Sequence, residues 1–374
     1  MGEQQDRRLA EGFFSPFDED DVVKRGLPAS AYTEKAFWRQ EMDQLFPKSW
    51  VLAGFVHELT RPGDAIPTRV AGRPLLMLRD ADGAVRVFHN VCRHRCLELV
   101  DQAQHFERGI TCPYHHWTYD LKGCLKSTPF FGGPKAHTPS GFDPGQNGLI
   151  PVRFHVLHDW IFVNLDGQAP AFEDYAANLL DQLSGIALER LVPVATIDFG
   201  AVATNWKFLM ENFIEPYHVQ YVHKTTTDQP LRDHHTVIDG RCLGSAVNIS
   251  KERGKSNGKS NSLAVSSRYL TLFPSFVCGC YAPDQVGVYL HQPMTPGLTQ
   301  QRRAIYLIDG HERPEAEVVA LKELWTSVHL EDHAMCERLQ RGRASPVAAD
   351  GGALSPHWED SVRRFQEMVA DAVR

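Results

Sequence analysis

Two cysteines and two histidines stand in alternating pairs in this chain. Cys92-Arg93-His94 is followed, after seventeen intervening residues, by Cys112-Pro113-Tyr114-His115. Thiolates are soft donors that suit iron–sulfur clusters, and imidazole suits iron or zinc. A [2Fe–2S] cluster with two Cys on one iron and two His on the other needs this composition, supplied by two loops that each give one Cys and one His. Replacing two thiolates by neutral imidazoles raises the reduction potential of such a centre. The competing reading is a structural Cys₂His₂ zinc site. Zinc fingers keep Cys with Cys and His with His, whereas here they alternate, which favours the cluster. Cys96, His116 and Cys124 read as packing residues or as neighbours of the ligands, and His89 and His105 as ordinary histidines of a β segment.

A second constellation lies in NWKFLMENFIEPYHVQYVH, residues 205–223. Glu215 and His218 are three apart and share a face if the segment is helical. His218 and His223 are five apart, about 140° around a helix. They reach one metal only if the helix ends or bulges between them, and Pro216 fits such a disturbance. Two histidines and one carboxylate, with open positions, make the facial triad of non-haem Fe(II) oxygenases. The carboxylate comes from elsewhere if Glu215 has another task. LEDHAMCERLQRG, residues 330–342, offers Asp332 on a helix, with Glu331 and Glu337 as rivals and Asp228 and Asp233 as further alternatives. The plain reading, two helix histidines on a polar face, is weakened by the Cys/His site, because electrons delivered by a cluster need an acceptor. Glu215 is then free to accept a hydrogen bond from the second nitrogen of His218. Asn212, with Phe208 and Phe213, lies beside this segment and is read as a residue of the catalytic site.

These groups need elements to hold them. Residues 1–45 read as a helical arm, with helical spacing in AYTEKAFWRQEMDQLF and Thr33 as N-cap. Residues 46–167 read as a small antiparallel β domain: WVLAGFV, RPLLMLRD, AVRVFHN, WTYDLKGCL and HDWIFVNLDG are short β runs between turn signals. Residues 168–374 form the remainder. A helix is expected near 204–223, a polar loop with KERGKSNGKSNS within 228–263, strands in RYLTLFPSFVCGCYA, GVYLHQPMT and RRAIYLID, and helices over 313–341 and 356–373. Phe273, Phe276, Tyr289 and His291 are candidate pocket residues on the strands, though each also fits a core.

The chain has 374 residues, a net charge of −7 and eight cysteines, half of them between 92 and 124. That charge argues against nucleic acid, and no Lys/Arg block suggests a membrane surface. There is no signal-peptide pattern and no run of about 18 uncharged apolar residues, so a cytoplasmic protein without a membrane span is expected. Crowded Cys and His in such a chain read as metal before disulfide. No G-x-G-x-x-G follows a strand, so electrons must come from other proteins. Arg93, Arg95, Lys122 and Lys126 flank the cluster motif and form a candidate docking rim, or a plain solvated one.

Together these residues resemble the large (alpha) subunit of Rieske non-haem iron oxygenases. CRHR through CPYHHWTYDLKG looks like the Rieske motif, NWKFLMENFIEPYHVQYVH like the mononuclear iron motif, and LEDHAMCERLQRG like the segment giving its third ligand. The resemblance implies an α+β fold: an antiparallel β domain holding the [2Fe–2S] cluster, and a catalytic domain whose curved antiparallel sheet is flanked by helices and holds Fe(II). It implies electrons from NAD(P)H through a separate reductase or ferredoxin, O₂ and a small-molecule substrate, and a homotrimer in which one subunit's cluster serves its neighbour's iron. Glu215 would then bridge His218 to a cluster histidine, His115 of the partner subunit. Three positions depart from the family: Cys96 and His116 stand where it usually has glycine, and Glu215 where it usually has aspartate. Carnitine- and choline-type monooxygenases are similar in carrying Glu there. Together with the short chain, this points to oxidative N- or O-dealkylation of an aromatic or amine substrate, with ring dihydroxylation as the alternative. A non-enzymatic electron carrier and a zinc-stabilised binding protein are the readings from other classes.

Overall fold

In a computed structural model of the chain, Leu9 and residues 12–227, 230–249 and 265–374 are described. Asp228 and the KERGKSNGKSNS stretch lie outside them. The chain divides into two compact units, Pro47–Ala169 and Met1–Phe46 with Pro170–Arg374. No helix among the described residues is long and apolar enough to cross a membrane.

The first unit is antiparallel β throughout. Its strands are β1 (Val51–Phe55), β2 (Asp64–Val70), β3 (Arg73–Arg79), β4 (Val85–His89), β5 (Gln104–His105), β6 (Ile110–Thr111), β7 (Thr118–Tyr119), β8 (Leu125–Ser127), β9 (Arg153–Leu157) and β10 (Trp160–Asn164). They form three sheets, ordered β1-β10-β9, β4-β3-β2-β5 and β6-β7-β8. Short strands suffice because the apolar residues converge on one cluster. Leu76, Leu78, Phe88, Val100, Ile110, Trp117 and Tyr119 pack there around Cys92 and Cys112.

The second unit is built on a seven-stranded antiparallel sheet ordered β11-β17-β16-β15-β14-β13-β12. The strands are β11 (Leu191–Val202), β12 (His234–Asp239), β13 (Cys242–Ile249), β14 (Val265–Leu272), β15 (Phe276–Tyr281), β16 (Gln285–Thr295) and β17 (Leu298–Ile308). Helices α1 (Trp206–Ile214), α2 (Val219–Val222), α3 (Glu315–Gly342) and α4 (Asp360–Val373) accompany them. The side chain of Asn205 accepts from Lys207 N at 3.0 Å and starts α1, as short polar N-caps do. Lys207 is wholly buried and meets Glu41 of the N-terminal arm at 2.6 Å. The Trp206 indole N–H donates to the other oxygen of that carboxylate.

Two local expectations need correction. Thr33 does not cap a helix: it ends the short Ser30–Thr33 turn and donates to Ala29 O. Glu34, without a side-chain cap bond, precedes Lys35–Gln40. Nor is 204–223 one helix. Glu215 is extended, with ψ 138°, because the residue before a proline is pushed out of the helical region.

Candidate functional site: two metal centres

The cluster-type residues sit on two loops with the same hydrogen-bond pattern. Cys92 N donates to Leu97 O and Cys96 N to Cys92 O, while Cys112 N donates to Trp117 O and His116 N to Cys112 O. Each loop reverses through one left-handed residue, Cys96 at φ 56° and His116 at φ 57°. These are the positions where glycine was expected, so the turn forms without it, against a cost of about 1 kcal/mol for each side chain in that region. Cys96→Gly and His116→Gly are each expected to raise unfolding stability by roughly 0.5 kcal/mol, the relieved strain being partly offset by glycine's greater unfolded-state freedom. Denaturant melts of the holoprotein check this. A loss above 1 kcal/mol would mean that the side chains do more than occupy the turn.

Cys92 and Cys112 are buried, and all eight cysteines are free thiols. Burial pushes the Cys112 thiol up, the Tyr114 and His115 amides pull it down, and the adjacent Cys92 pushes it up again. Tyr119 Oη lies 3.4 Å from Cys92 Sγ and accepts from Arg93 N. The His94 and His115 rings are 4.6 Å apart, and Trp117 stacks beneath His94 at 4.9 Å. His94 Nδ1 is buried without a hydrogen-bond partner, as a nitrogen reserved for a metal would be. Among the described residues, only His218, His223 and Asp332 bring three donor atoms within 4.8 Å of one another. The Cys/His set therefore does not converge on one point, as a single tetrahedral zinc requires with bonds of about 2.0–2.3 Å. Two pairs, one of sulfur and one of nitrogen, fit a two-iron cluster. The basic rim is smaller than the sequence suggests: Lys122 pairs with Asp82, Lys126 with Asp120, and Arg95 lies against Tyr114.

The second centre lies wholly in the other unit. His218 and His223 bracket the single turn of α2, one before it and one after. Their rings are 5.3 Å apart at 75°. Glu215 reaches His218 Nδ1 at 2.6 Å through a loop contact, not a shared helix face, since its other oxygen accepts from the Tyr217 and His218 amides. Glu331, a rival ligand in the sequence, instead holds His223 Nδ1 at 2.7 Å and accepts from Thr226. A carboxylate on each Nδ1 fixes that proton and leaves each Nε2 lone pair for a metal. Those two nitrogens face Asp332 Oδ1 at 3.7 and 3.0 Å, an oxygen that is buried and makes no hydrogen bond. Three donor atoms converging at this spacing suit a cation. Burial works against a charged His223, yet Asp332 and then Glu331 raise it to about 9. Burial also raises Asp332, but the two histidines bring it below its ordinary value. A metal entering here displaces protons. The other sequence rivals lie elsewhere: Glu337 pairs with Arg341, and Asp233 with Arg232.

A cavity of about 590 Å³ opens on this triad. Asn212, Phe213, Tyr269, Tyr281, Tyr289 and Trp325 are among the residues lining it. Of the strand candidates, Tyr289 reaches this cavity, while Phe273 and Phe276 are buried core. Phe208 is also buried and stacks on Tyr32. A neighbouring cavity of about 30 Å³ is lined by Asn212, His291, Gln301, His329, Asp332 and His333, among others. Sequence reading missed His234, which lines the large cavity with both ring nitrogens unpartnered and is held down to about 4 by burial. It also missed His329, stacked between Phe199 and Tyr289. His234 carries no spacing signal, whereas His329 stands three residues before Asp332 and four before His333 on one helix.

Residues 49–137 match the Rieske [2Fe-2S] domain family, and residues 188–374 match the ring hydroxylating alpha subunit (catalytic domain). The chloroplastic choline monooxygenase of Atriplex hortensis is 26% identical over 339 residues, covering 88% of this chain and 74% of that protein. The glycine betaine monooxygenase oxygenase subunit of Chromohalobacter salexigens is 34% identical over 197 residues, 53% of this chain and 43% of that one. In fold, the crystal structure of the quaternary ammonium Rieske monooxygenase CntA with an inhibitor aligns at a TM-score of 0.80 and 24% identity, covering 98% of this chain and 99% of that one.

Proposed function

Because this chain belongs to the ring-hydroxylating oxygenase alpha subunits and carries a Rieske [2Fe–2S] domain and a mononuclear-iron catalytic domain, we propose that it is the terminal oxygenase of an O₂-dependent N-demethylation of a small quaternary ammonium compound. The observation that carries this reading is the facial set His218, His223 and Asp332 opening onto a cavity whose lining includes the aromatic rings of Phe213 and Tyr269. Aromatic faces attract ammonium groups, by up to about 2 kcal/mol where water is excluded. The ammonium class itself is taken from the relatives named above.

In this proposal Cys92, His94, Cys112 and His115 hold the cluster, and His218, His223 and Asp332 hold the iron. When bound, the cluster would relay electrons and the iron would activate O₂. The protein's part is positional: Glu215 and Glu331 fix the imidazoles, and Phe213 and Tyr269 turn an N-methyl group toward the triad. Hydroxylation of that methyl consumes O₂, two electrons and two protons and releases water. The N–CH₂OH product then breaks its C–N bond, giving formaldehyde, a proton and the tertiary amine. The electrons come from a separate reductase, with or without a ferredoxin. A homotrimer, with Glu215 reaching His115 of the partner subunit, completes the scheme. Both lone pairs of one Glu215 oxygen are taken by the Tyr217 and His218 amides, so the bridge would use the oxygen that also holds His218.

Reconstituted with a reductase and a quaternary ammonium substrate, the protein is expected to release one formaldehyde per O₂ consumed. A stable cis-diol from an arene, with no aldehyde from any N-methyl compound, would overturn the proposal in favour of ring dihydroxylation.

A further inference from the structure

Behind the aromatic wall lies a buried cation that the scheme above does not use. Arg303, on β17, is 0% exposed. Its guanidinium stacks on the Trp325 indole at 3.6 Å and lies 4.9 Å from the Tyr289 ring. Nη1 donates to Tyr289 Oη at 2.8 Å. Nε and Nη2 find no acceptor, and no carboxylate pairs with Arg303 among the described residues. A guanidinium stays protonated in proteins, and a buried, unpaired charge is costly. The fold nevertheless makes room for it. Gly279 and Gly287 face each other across β15 and β16. A Cβ on Gly287 would come within 2.5 Å of Arg303 Nη2, and one on Gly279 would press against the Tyr281 hydroxyl.

Donor counting shows what this wall lacks. The Tyr289 and Tyr281 hydroxyls are 3.0 Å apart. Arg303 can only donate, so one tyrosine hydrogen serves the contact between the two hydroxyls and the other has no acceptor. The Trp325 indole N–H is likewise buried and unpartnered. Tyr281, Tyr289 and Trp325 all line the large cavity. At its iron end, Glu215, Glu331 and Asp332 bring three carboxylates against the two charges of a ferrous ion. The cavity is thus bordered by carboxylates at the triad and, elsewhere on its lining, by the Tyr281 and Tyr289 hydroxyls that Arg303 backs.

We infer that this wall receives a carboxylate of the substrate, which accepts from the Tyr281–Tyr289 pair while Arg303 holds those donors in place behind them. The inference rests on the amine reading above and sharpens it: the substrate is a zwitterion, an ammonium carboxylate and not a simple ammonium alcohol. Tyr281 and Tyr289 touch the substrate, and Arg303 acts through them as a positioning residue.

The test is calorimetric binding to the iron-loaded holoprotein of three probes: glycine betaine, choline and salicylate. Glycine betaine is expected to bind at least tenfold more tightly than choline. Tyr281→Phe and Tyr289→Phe, which keep the rings, are expected to weaken glycine betaine by roughly ten- to a hundredfold, the scale of a hydrogen bond to a charged group, and to change choline less than twofold. Arg303→Met should do the same if it folds, and the two tyrosine variants decide the matter if it does not. Equal affinity for the two ammonium probes, or equal losses for both in the variants, overturns the inference, as does binding of none of the three. Binding of salicylate alone, with the same sensitivity to both tyrosines, would sink the amine reading and leave the carboxylate wall standing.

Discussion

Cys112→Ser is expected to abolish the visible absorption of the protein and all turnover, and to lower its iron content from about three to about one per chain. The buried Sγ sits beside Cys92 and is met by the Tyr114 and His115 amides, which are placed to stabilise a thiolate. Serine puts a harder, poorly ionised oxygen in that place. The other loop cannot compensate, because each supplies only one sulfur. Exposed Cys96, four residues from Cys92, is the control: Cys96→Ser should leave the spectrum intact. Iron analysis and visible spectra of both proteins check the pair. A Cys112→Ser protein that keeps its colour would refute the assignment.

Removing the second centre should have an equally large effect on turnover and none on colour. His223→Ala and Asp332→Ala are each expected to lower iron from about three to about two per chain and to reduce activity to background, with the cluster spectrum unchanged. The carboxylates behind the histidines should differ in degree. Glu331→Gln removes a charge from His223 Nδ1 while keeping a shape that can still accept, so iron should bind roughly 10- to 100-fold more weakly without being lost. Glu215→Gln should weaken iron similarly at His218. If Glu215 also carries electrons from the partner's cluster, it should in addition slow cluster oxidation in a single turnover. An Asp332→Ala protein with full iron and full activity would hand the third position to another acid.

How far the site could be read in advance depended on what kind of constraint each residue obeys. Metal ligation demands residue type and spacing together, so Cys92, His94, Cys112 and His115, the residues proposed to hold the cluster, stand out in one dimension, as do His218 and His223. Asp332 and Glu331 are adjacent on α3, about 100° apart around the helix. One faces the triad and the other the far nitrogen of His223, and nothing in LEDHAMCERLQRG says which. The contact between Glu215 and His218 was foreseen for the wrong reason. Helical spacing suggested it, but Pro216 had already ended the helix, and the loop makes the contact instead. Arg303 was illegible. In the first half of LTQQRRAIYLI the buried residues alternate, yet Thr299, Gln301 and Arg303 fall on the buried side, so the usual rule that the inner face is apolar fails there. The only trace in the sequence was the pair Gly279 and Gly287, whose register is visible only once the strands are paired.

The triad also joins two distant stretches of chain. His223 follows α2, whereas Asp332 sits midway along α3, roughly 110 residues further on, a span long enough that closing it weighs heavily on the unfolded state. With the triad as iron ligands, as proposed, the middle of α3 would be clasped to the end of α2 by the ion as well as by the hydrogen bond between Glu331 and His223. Stripping that ion should therefore cost α3 part of its hold on α2 and show as faster amide exchange around Asp332 and His223.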